Sequence, residues 1–229
     1  DTVAPRAGPR PRGLWGAATL RPRRISRIAV AAEQRRQGIG QALVAAAQRR
    51  QDVDFLSVSF GYTEALWAFW RACGFTLVRI GTQREASSGC YAAMAIRALT
   101  PAGADLQQRA AERLARDWPQ LRQQVTESIA LPEMPLSFND EDAWLAAGFA
   151  WAQRPLEASL PVLHRLAARI SVPPLLKAAL QPQADIGHLA QQAGLSGRKA
   201  LVTQLRLDAA AALSALDAAR ASQLRQQVE

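Results

Sequence analysis

Residues 24–48 read RISRIAVAAEQRRQGIGQALVAAAQ, and this stretch decides the fold class. Residues 24–30 alternate in polarity and contain β-branched side chains, which predicts a β-strand. The polar turn that follows closes on Gly38 and Gly40, and residues 41–51 then carry apolar side chains at helical spacing. A strand, a glycine-containing turn and a helix in this order are typical of an α/β domain.

The next fifty residues repeat these elements. We predict a strand over residues 54–60, a helix that is capped by Thr63 and ends at Gly74, and two further strands over residues 75–80 and 90–96. The resulting order is βαβαββ. It predicts a mixed sheet in which some strands pair in parallel.

After Pro101 the pattern becomes helical almost to the last residue, with prolines between the segments. Asn139, followed by three acidic residues, predicts a helix cap. We therefore place an α/β domain at residues 1–99, in which residues 1–23 are irregular, and an all-helical region at residues 100–229.

The net charge of +9 lies entirely in the first fifth of the chain. Residues 1–50 hold eleven arginines and only two acidic residues, whereas basic and acidic residues balance in the rest. A localised basic block favours a polyanionic partner, either nucleic acid or the phosphates of a nucleotide. The alternative is compositional bias, because 26 of the 28 basic residues are arginine.

Several classes of protein are disfavoured. No apolar run approaches the roughly 18 residues that a membrane helix needs, and the Arg-rich opening lacks the apolar core of a secretion signal. Cys73 and Cys90 are too few for a disulfide framework, and no Cys or His spacing indicates a metal site. We expect a soluble cytoplasmic protein that binds no membrane and no metal, and that is a piece of a longer one, since it begins with Asp1.

The segment RRQGIGQ, residues 35–41, is the best candidate for chemistry. A turn of this kind points several backbone N–H groups at one place, at the positive end of a helix dipole, and its glycines admit a phosphate close to the backbone. It is neither a dinucleotide fingerprint, because Leu43 stands where the third glycine would fall, nor a Walker loop. The sequence therefore predicts a pyrophosphate site here.

The order of elements resembles the acetyl-CoA-binding half of the GNAT acetyltransferases. Three strings carry a narrower resemblance: RISRIAV at residues 24–30, DFLSVSFGYT at residues 54–63 and REASSGCY at residues 84–91. They are similar to the tRNA(Met) cytidine acetyltransferases. The helical tail, with LSGRK at residues 195–199, resembles the C-terminal tRNA-binding region of that family.

The resemblance implies a GNAT-like mixed sheet, incomplete at its N-terminal side, followed by an all-helical tRNA-binding domain. It implies acetyl-CoA as the acetyl donor, and N4 of the wobble cytidine in elongator methionine tRNA as the acceptor. The ATP-driven helicase module of the family, with its phosphate loop, is expected to lie outside this chain. The partners implied are therefore acetyl-CoA and tRNA.

The resemblance also implies roles for particular residues. The main chain of Ile28, Ala29 and Val30 would bind the pantetheine arm of acetyl-CoA. The pyrophosphate would be held by the turn, whose residues are Arg35, Arg36, Gln37, Gly38, Ile39, Gly40 and Gln41. The alternative for the strand is an ordinary buried strand.

Glu85 is the candidate proton acceptor, and Tyr91 or Ser87 the candidate contact to the cytidine base. The alternative is an ordinary hairpin loop with a surface glutamate. Arg198, Lys199 and Arg206 are candidate contacts to tRNA phosphates, with a solvated helix face as the alternative.

Two departures from the family pattern bear on activity. The family follows its first strand with His-Pro, where this chain has Ala31 and Ala32, and Trp70 stands where many GNAT enzymes place a tyrosine acid. A catalytically inactive tRNA-binding remnant is therefore the alternative function, and a GNAT enzyme acting on a protein or small amine is a weaker third. The aromatic residues around Trp70 are predicted to pack in the core rather than stack on a base.

Overall fold

The structure is a computed structural model that describes residues 19–49 and 52–229. The chain divides into two compact units, which separate between Met134 and Pro135. The first unit contains a mixed sheet and the second is helical, so the predicted α/β class with an added helical region is confirmed.

The first unit alternates strands and helices as the sequence predicts. Strands β1 and β2 pair in parallel, β4 pairs antiparallel with β2 and β3, and the strand order is β1-β2-β4-β3. Its elements are β1 (Pro22–Ile25), α1 (Ile39–Gln48), β2 (Phe55–Gly61), α2 (Glu64–Ala72), β3 (Thr76–Arg84), β4 (Tyr91–Ala98) and α3 (Pro101–Leu121).

The strand predicted over residues 24–30 is shifted in the structure. Strand β1 covers Pro22–Ile25, and its ladder with β2 ends at the pair Ile25 and Val58. Sequence periodicity extends the predicted strand to residue 30, because Ile28 and Val30 continue the apolar alternation. Both side chains are half-buried in the structure, as in a strand. Pairing is decided by the partner strand, which sequence periodicity does not reveal.

Helices α1 and α2 cover the sheet through one cluster of buried side chains. Val44 of α1 and Trp70 of α2 pack with Leu56 and Val58 of β2. Thr63 caps α2 as predicted, because its hydroxyl accepts a hydrogen bond from the amide of Leu66.

Helix α3 packs on the sheet, and the first compact unit accordingly extends to Met134. The carboxylate of Asp54 accepts hydrogen bonds from the amide of Arg21 at 2.8 Å and from the hydroxyl of Thr100, the N-cap of α3, at 3.0 Å. These hydrogen bonds hold the pKa of Asp54 below its usual value. A Cβ atom on Gly103 would lie 2.1 Å from the carbonyl oxygen of Asp54, so only glycine permits this contact.

The second unit, Pro135–Glu229, is built of helices around its own core. The predicted cap at Asn139 is confirmed as a capping box with Asp142, whose carboxylate also forms a buried ion pair with Arg165 at 2.8 Å. No described helix is long and apolar enough to cross a membrane. The helices are α4 (Asp140–Trp151), α5 (Leu156–Arg169), α6 (Pro174–Ala179), α7 (Ile186–Gln192), α8 (Arg198–Leu216) and α9 (Ala218–Val228).

Candidate functional site

The turn between β1 and α1 has the backbone geometry of an anion site. A single 3-10 turn over Ala32–Gln34 is followed by Arg36 and Gly38, both in the left-handed region with φ of 61° and 80°. Helix α1 starts directly after Gly38, and no side chain in the described residues caps it. The first amide groups of α1 therefore keep their hydrogen-bonding capacity for a ligand.

These residues line one pocket of about 390 Å³. It brings together most of the residues expected to hold a pyrophosphate and adds two that the sequence analysis missed. The lining is Val30, Gln34, Arg35, Arg36, Gly38, Ile39, Gly40, Gln41 and Phe69. Ile28, Ala29 and Gln37, also expected at the site, are not part of this lining.

The two glycines of the turn have different roles. Gly38 needs its positive φ, while a Cβ there would meet nothing within 4 Å. A Cβ on Gly40 would lie 3.1 Å from the ring of Phe69, so this glycine lets α1 approach α2. Gly38 therefore supplies a left-handed backbone position beside open space, and Gly40 permits the close packing of α1 against α2.

The side of β2 that faces β1 is unpaired at its C-terminal end. The parallel ladder stops at Val58, whereas the pairing of β2 with β4 continues to Gly61. Among the described residues, Ser59–Gly61 therefore has no strand partner on that side, which leaves backbone groups available. The rings of Phe60, Trp70 and Phe69 connect this edge to the pocket, with Phe60–Trp70 centroids 6.3 Å apart and Phe69–Trp70 centroids 5.0 Å apart.

The hairpin loop of residues 85–90 lies against the end of β2. A Cβ on Gly61 would be 3.1 Å from Cβ of Cys90 and 3.7 Å from Oγ of Ser88. Glu85 is exposed, and its Oε2 accepts a hydrogen bond from the Ser88 hydroxyl at 3.2 Å. The structure thus presents this carboxylate to solvent from a loop that contacts the C-terminal end of β2.

Tyr91 occupies a different environment from Glu85. It is buried at the start of β4, its hydroxyl donates to the carbonyl oxygen of Gln124 at 3.1 Å, and that hydroxyl accepts from the amide of Thr126 at 3.3 Å. Hydrogen bonds from Thr126 lower the pKa of Tyr91, with a smaller contribution from the charge of Arg84. These contacts attach the segment after α3 to β4. Because Tyr91 is buried there, it does not have the open position that a contact to the cytidine base requires.

Comparisons with known proteins agree with this architecture. A GNAT acetyltransferase 2 family matches residues 42–100, and a tRNA-binding domain family matches residues 103–219, half of the chain. The tRNA(Met) cytidine acetyltransferase TmcA of Pectobacterium atrosepticum is 47% identical over 225 residues, which are 93% of this chain and 32% of that protein. The chain belongs to the tRNA-binding domain family, and it is similar to part of the tRNA(Met) cytidine acetyltransferases.

Two further relatives carry the same name. The protein of Salmonella typhimurium is 50% identical over 212 residues, which are 91% of this chain and 32% of the relative. That of Haemophilus influenzae is 41% identical over 153 residues, which are 67% of this chain and 23% of the relative. The chain thus spans about a third of the length of the Pectobacterium and Salmonella relatives.

Two of the three basic residues expected to contact RNA are exposed. Arg198 and Lys199 lie at the N-terminal end of α8, and Arg198 forms an ion pair with Glu157. Arg206 is different, because it lies over the ring of Phe149 and donates to the carbonyl oxygens of Phe149 and Arg154. Burial lowers the pKa of Arg206. Its contacts join α8 to the end of α4. Arg206 therefore has a structural role, which the spacing of basic residues along α8 does not reveal.

The aromatic residues of α2 pack in the core, as predicted. Trp70 is buried, and Trp67 and Phe69 pack against the same cluster. Phe69 also lines the pocket. The sequence predicts only a core position for it, because it lies beside Trp70 on an amphipathic helix. Thr126 and Glu127, which contact the hairpin, lie in an irregular polar segment with no sequence signal for that role.

Proposed function

We propose that this chain binds acetyl-CoA at the turn before α1 and takes part in acetylating N4 of the wobble cytidine in elongator methionine tRNA. The observation that carries the proposal is the uncapped start of α1 behind Gly38, together with an edge of β2 that has no strand partner over Ser59–Gly61 among the described residues. The family and the names of the relatives support the same reaction.

The pocket residues fit the anionic end of acetyl-CoA. The amides at the start of α1 and the exposed side chains of Arg35 and Arg36 supply hydrogen bonds and positive charge for a pyrophosphate. Backbone groups of residues 26–30, apart from the Val30 carbonyl oxygen that accepts a hydrogen bond from Arg35, and the free edge of β2 would bind the amide-containing pantetheine arm. When bound, acetyl-CoA supplies an acetyl group activated as a thioester.

The residues of this chain would then hold the acceptor and take up its proton. The exocyclic amine of cytidine is a weak nucleophile because its lone pair is delocalised into the ring, so positioning accounts for much of the rate. A backbone amide near Val30 or Ala31 would polarise the acetyl carbonyl. The exposed carboxylate of Glu85 would accept the proton that leaves N4.

The helical unit would provide contacts to the tRNA backbone. Arg198 and Lys199 are the exposed candidates, and the tRNA-binding domain family covers both. A protein with this role works on cytoplasmic tRNA, so we place it in the cytoplasm. Trp70, an indole that cannot act as an acid, favours the alternative of a tRNA-binding protein without transfer activity.

Calorimetric titration of the chain with acetyl-CoA tests the proposal, and Gly38→Glu is the decisive variant. Its carboxylate would occupy the open space beside the start of α1 and repel the pyrophosphate, so we expect acetyl-CoA binding to be lost. Gly38→Ala introduces the same backbone strain without the charge and should retain most of the affinity. Equal affinity of the parent and Gly38→Glu would mean that the turn is not the phosphate site.

Acetyl transfer from radiolabelled acetyl-CoA to a methionine tRNA transcript is the second measurement. Transfer that depends on Glu85 and fails with a transcript lacking the wobble cytidine supports the enzyme. Saturable tRNA binding by a folded chain that binds no acetyl-CoA supports the non-catalytic alternative.

A further inference from the structure

One side chain fastens the hairpin loop to the rest of the first unit. Arg84, the last residue of β3, donates from Nη1 to the carbonyl oxygen of Gly89 at 2.6 Å. Its Nη2 donates to Oγ1 of Thr126 at 2.8 Å and to Oε1 of Glu127 at 3.1 Å. A single guanidinium group thus joins the loop to the segment that follows α3.

Tyr91 strengthens the same connection from the opposite strand. The guanidinium of Arg84 lies 4.6 Å from the centroid of the Tyr91 ring, and the Tyr91 hydroxyl is bonded to Gln124 and Thr126. Val125, next to Thr126, is buried in a cluster with Tyr91. Both strands that lead into the loop are therefore bound to the same segment.

The other side of the loop is restrained by β2. Gly61 leaves just enough room for Cys90 and Ser88, since a Cβ there would already approach Cys90 to 3.1 Å. The loop therefore cannot move towards β2, and the bonds of Arg84 oppose its movement away. Glu85, whose amide donates to the carbonyl oxygen of Cys90 at 2.9 Å, is fixed with it.

We propose that Arg84 is a positioning residue for acetyl transfer, which holds the loop of residues 85–90, and with it the Glu85 carboxylate, beside the unpaired end of β2. This inference rests on the proposed function. Arg84 and Glu127 are partly exposed, with 48% and 37% of their side chains accessible, so their ion pair alone contributes little to folding. The arrangement therefore serves the placement of the loop more than the stability of the unit.

Hydrogen exchange of the loop amides tests the placement directly. In Arg84→Gln we expect exchange about tenfold faster at residues 85–90, because the bonds of the charged group to Gly89 in the loop and to Thr126 and Glu127 outside it are lost. Arg79→Gln is the matched control, since Arg79 is exposed on the same strand and its side chain has no partner among the described residues. The control should leave the exchange unchanged.

Arg84→Lys separates geometry from charge. A lysine ammonium has no planar fork with which to reach Gly89, Thr126 and Glu127 together, so we expect it to behave like Arg84→Gln. Parent-like exchange in Arg84→Lys would show that only the charge matters and would overturn the proposal. Thr126→Val and Glu127→Ala remove two partners without altering the hairpin, and should give the same change at smaller amplitude even where an Arg84 variant folds poorly.

The catalytic consequence is measured as the split between kcat and KM in tRNA acetylation. For Arg84→Gln we expect kcat to fall about tenfold or more, with KM and the calorimetric Kd for acetyl-CoA within about twofold of the parent values. Faster loop exchange with an unchanged kcat, or unchanged exchange, would overturn the proposal. A parent chain that binds no acetyl-CoA would overturn the proposed function instead, and the exchange result would still decide whether Arg84 places the loop.

Discussion

The turn of residues 32–40 and the hairpin loop of residues 85–90 flank the same sheet but are held in place differently. The turn is shaped locally, by positive φ at Arg36 and Gly38 and by hydrogen bonds from Arg35 and Gln37 to nearby carbonyl oxygens, and residues 31–38 are all exposed. The hairpin loop is held by Arg84 and Tyr91 through contacts with a segment more than 30 residues away. A local backbone shape is suited to binding phosphate, whereas tertiary contacts are suited to placing a reactive side chain.

This difference predicts that changes in the two regions have opposite consequences. Side-chain changes in the turn should weaken ligand binding and leave the fold intact. Loss of the buried Tyr91 hydroxyl at the base of the hairpin should destabilise the unit and leave the affinity for acetyl-CoA intact.

Tyr91→Phe is expected to have the largest effect on stability. The change leaves the amide of Thr126 and the carbonyl of Gln124 without their buried partner, which costs about 1–3 kcal/mol of the free energy of unfolding. Urea denaturation measures this loss, and calorimetry should give an unchanged affinity for acetyl-CoA. A stable variant with weakened acetyl-CoA binding would contradict the distinction between the two regions.

Arg35→Gln should show the reverse. It removes one charged donor from an exposed turn, so we expect about a tenfold loss of acetyl-CoA affinity and less than about 0.5 kcal/mol change in stability. Arg49→Gln, at the opposite end of α1, removes the same charge away from the pocket and is the control. Equal losses of affinity in the two variants would indicate general charge attraction rather than a site.

The smallest effect is spectroscopic and concerns the only two tyrosines of the chain. Burial raises the pKa of Tyr62 above 10.0, while hydrogen bonds from Thr126 lower that of Tyr91 below 10.0. An ultraviolet titration should therefore show two steps, and Tyr91→Phe should remove the lower one. By linkage, Tyr91 adds stability as the pH rises towards 10.0, and Tyr62 reduces it above that value. A single step at 10.0 would contradict both pKa shifts.

Features with a local cause were predicted from the sequence. The caps at Thr63 and Asn139 depend on one hydroxyl or amide and a nearby backbone N–H group, and the turn around Gly38 depends on glycine at one left-handed position. The mixed sheet follows from strands and helices in alternation. All of these signals lie within a few neighbouring residues.

Features caused by distant residues were not predicted. The end of the ladder at Ile25 depends on β2, and the structural position of Arg206 depends on Phe149, which is 57 residues away. The burial of Tyr91 under the segment after α3 likewise has no signal in the REASSGCY string. The sequence therefore located the candidate site but not the contacts that support it.

The close approach of Gly103 to Asp54 limits where recombination could divide this chain. Residues 103–219 match one family as a tRNA-binding domain, yet the first helix of that match, α3, completes the core of the preceding sheet through Leu106 and Leu114. A recombination that joins a different domain at residue 100 would therefore separate α3 from the sheet, and would expose to solvent the apolar side chains that α3 covers. The two parts can diverge in sequence, but exchange between lineages would have to carry α3 with the sheet that it covers.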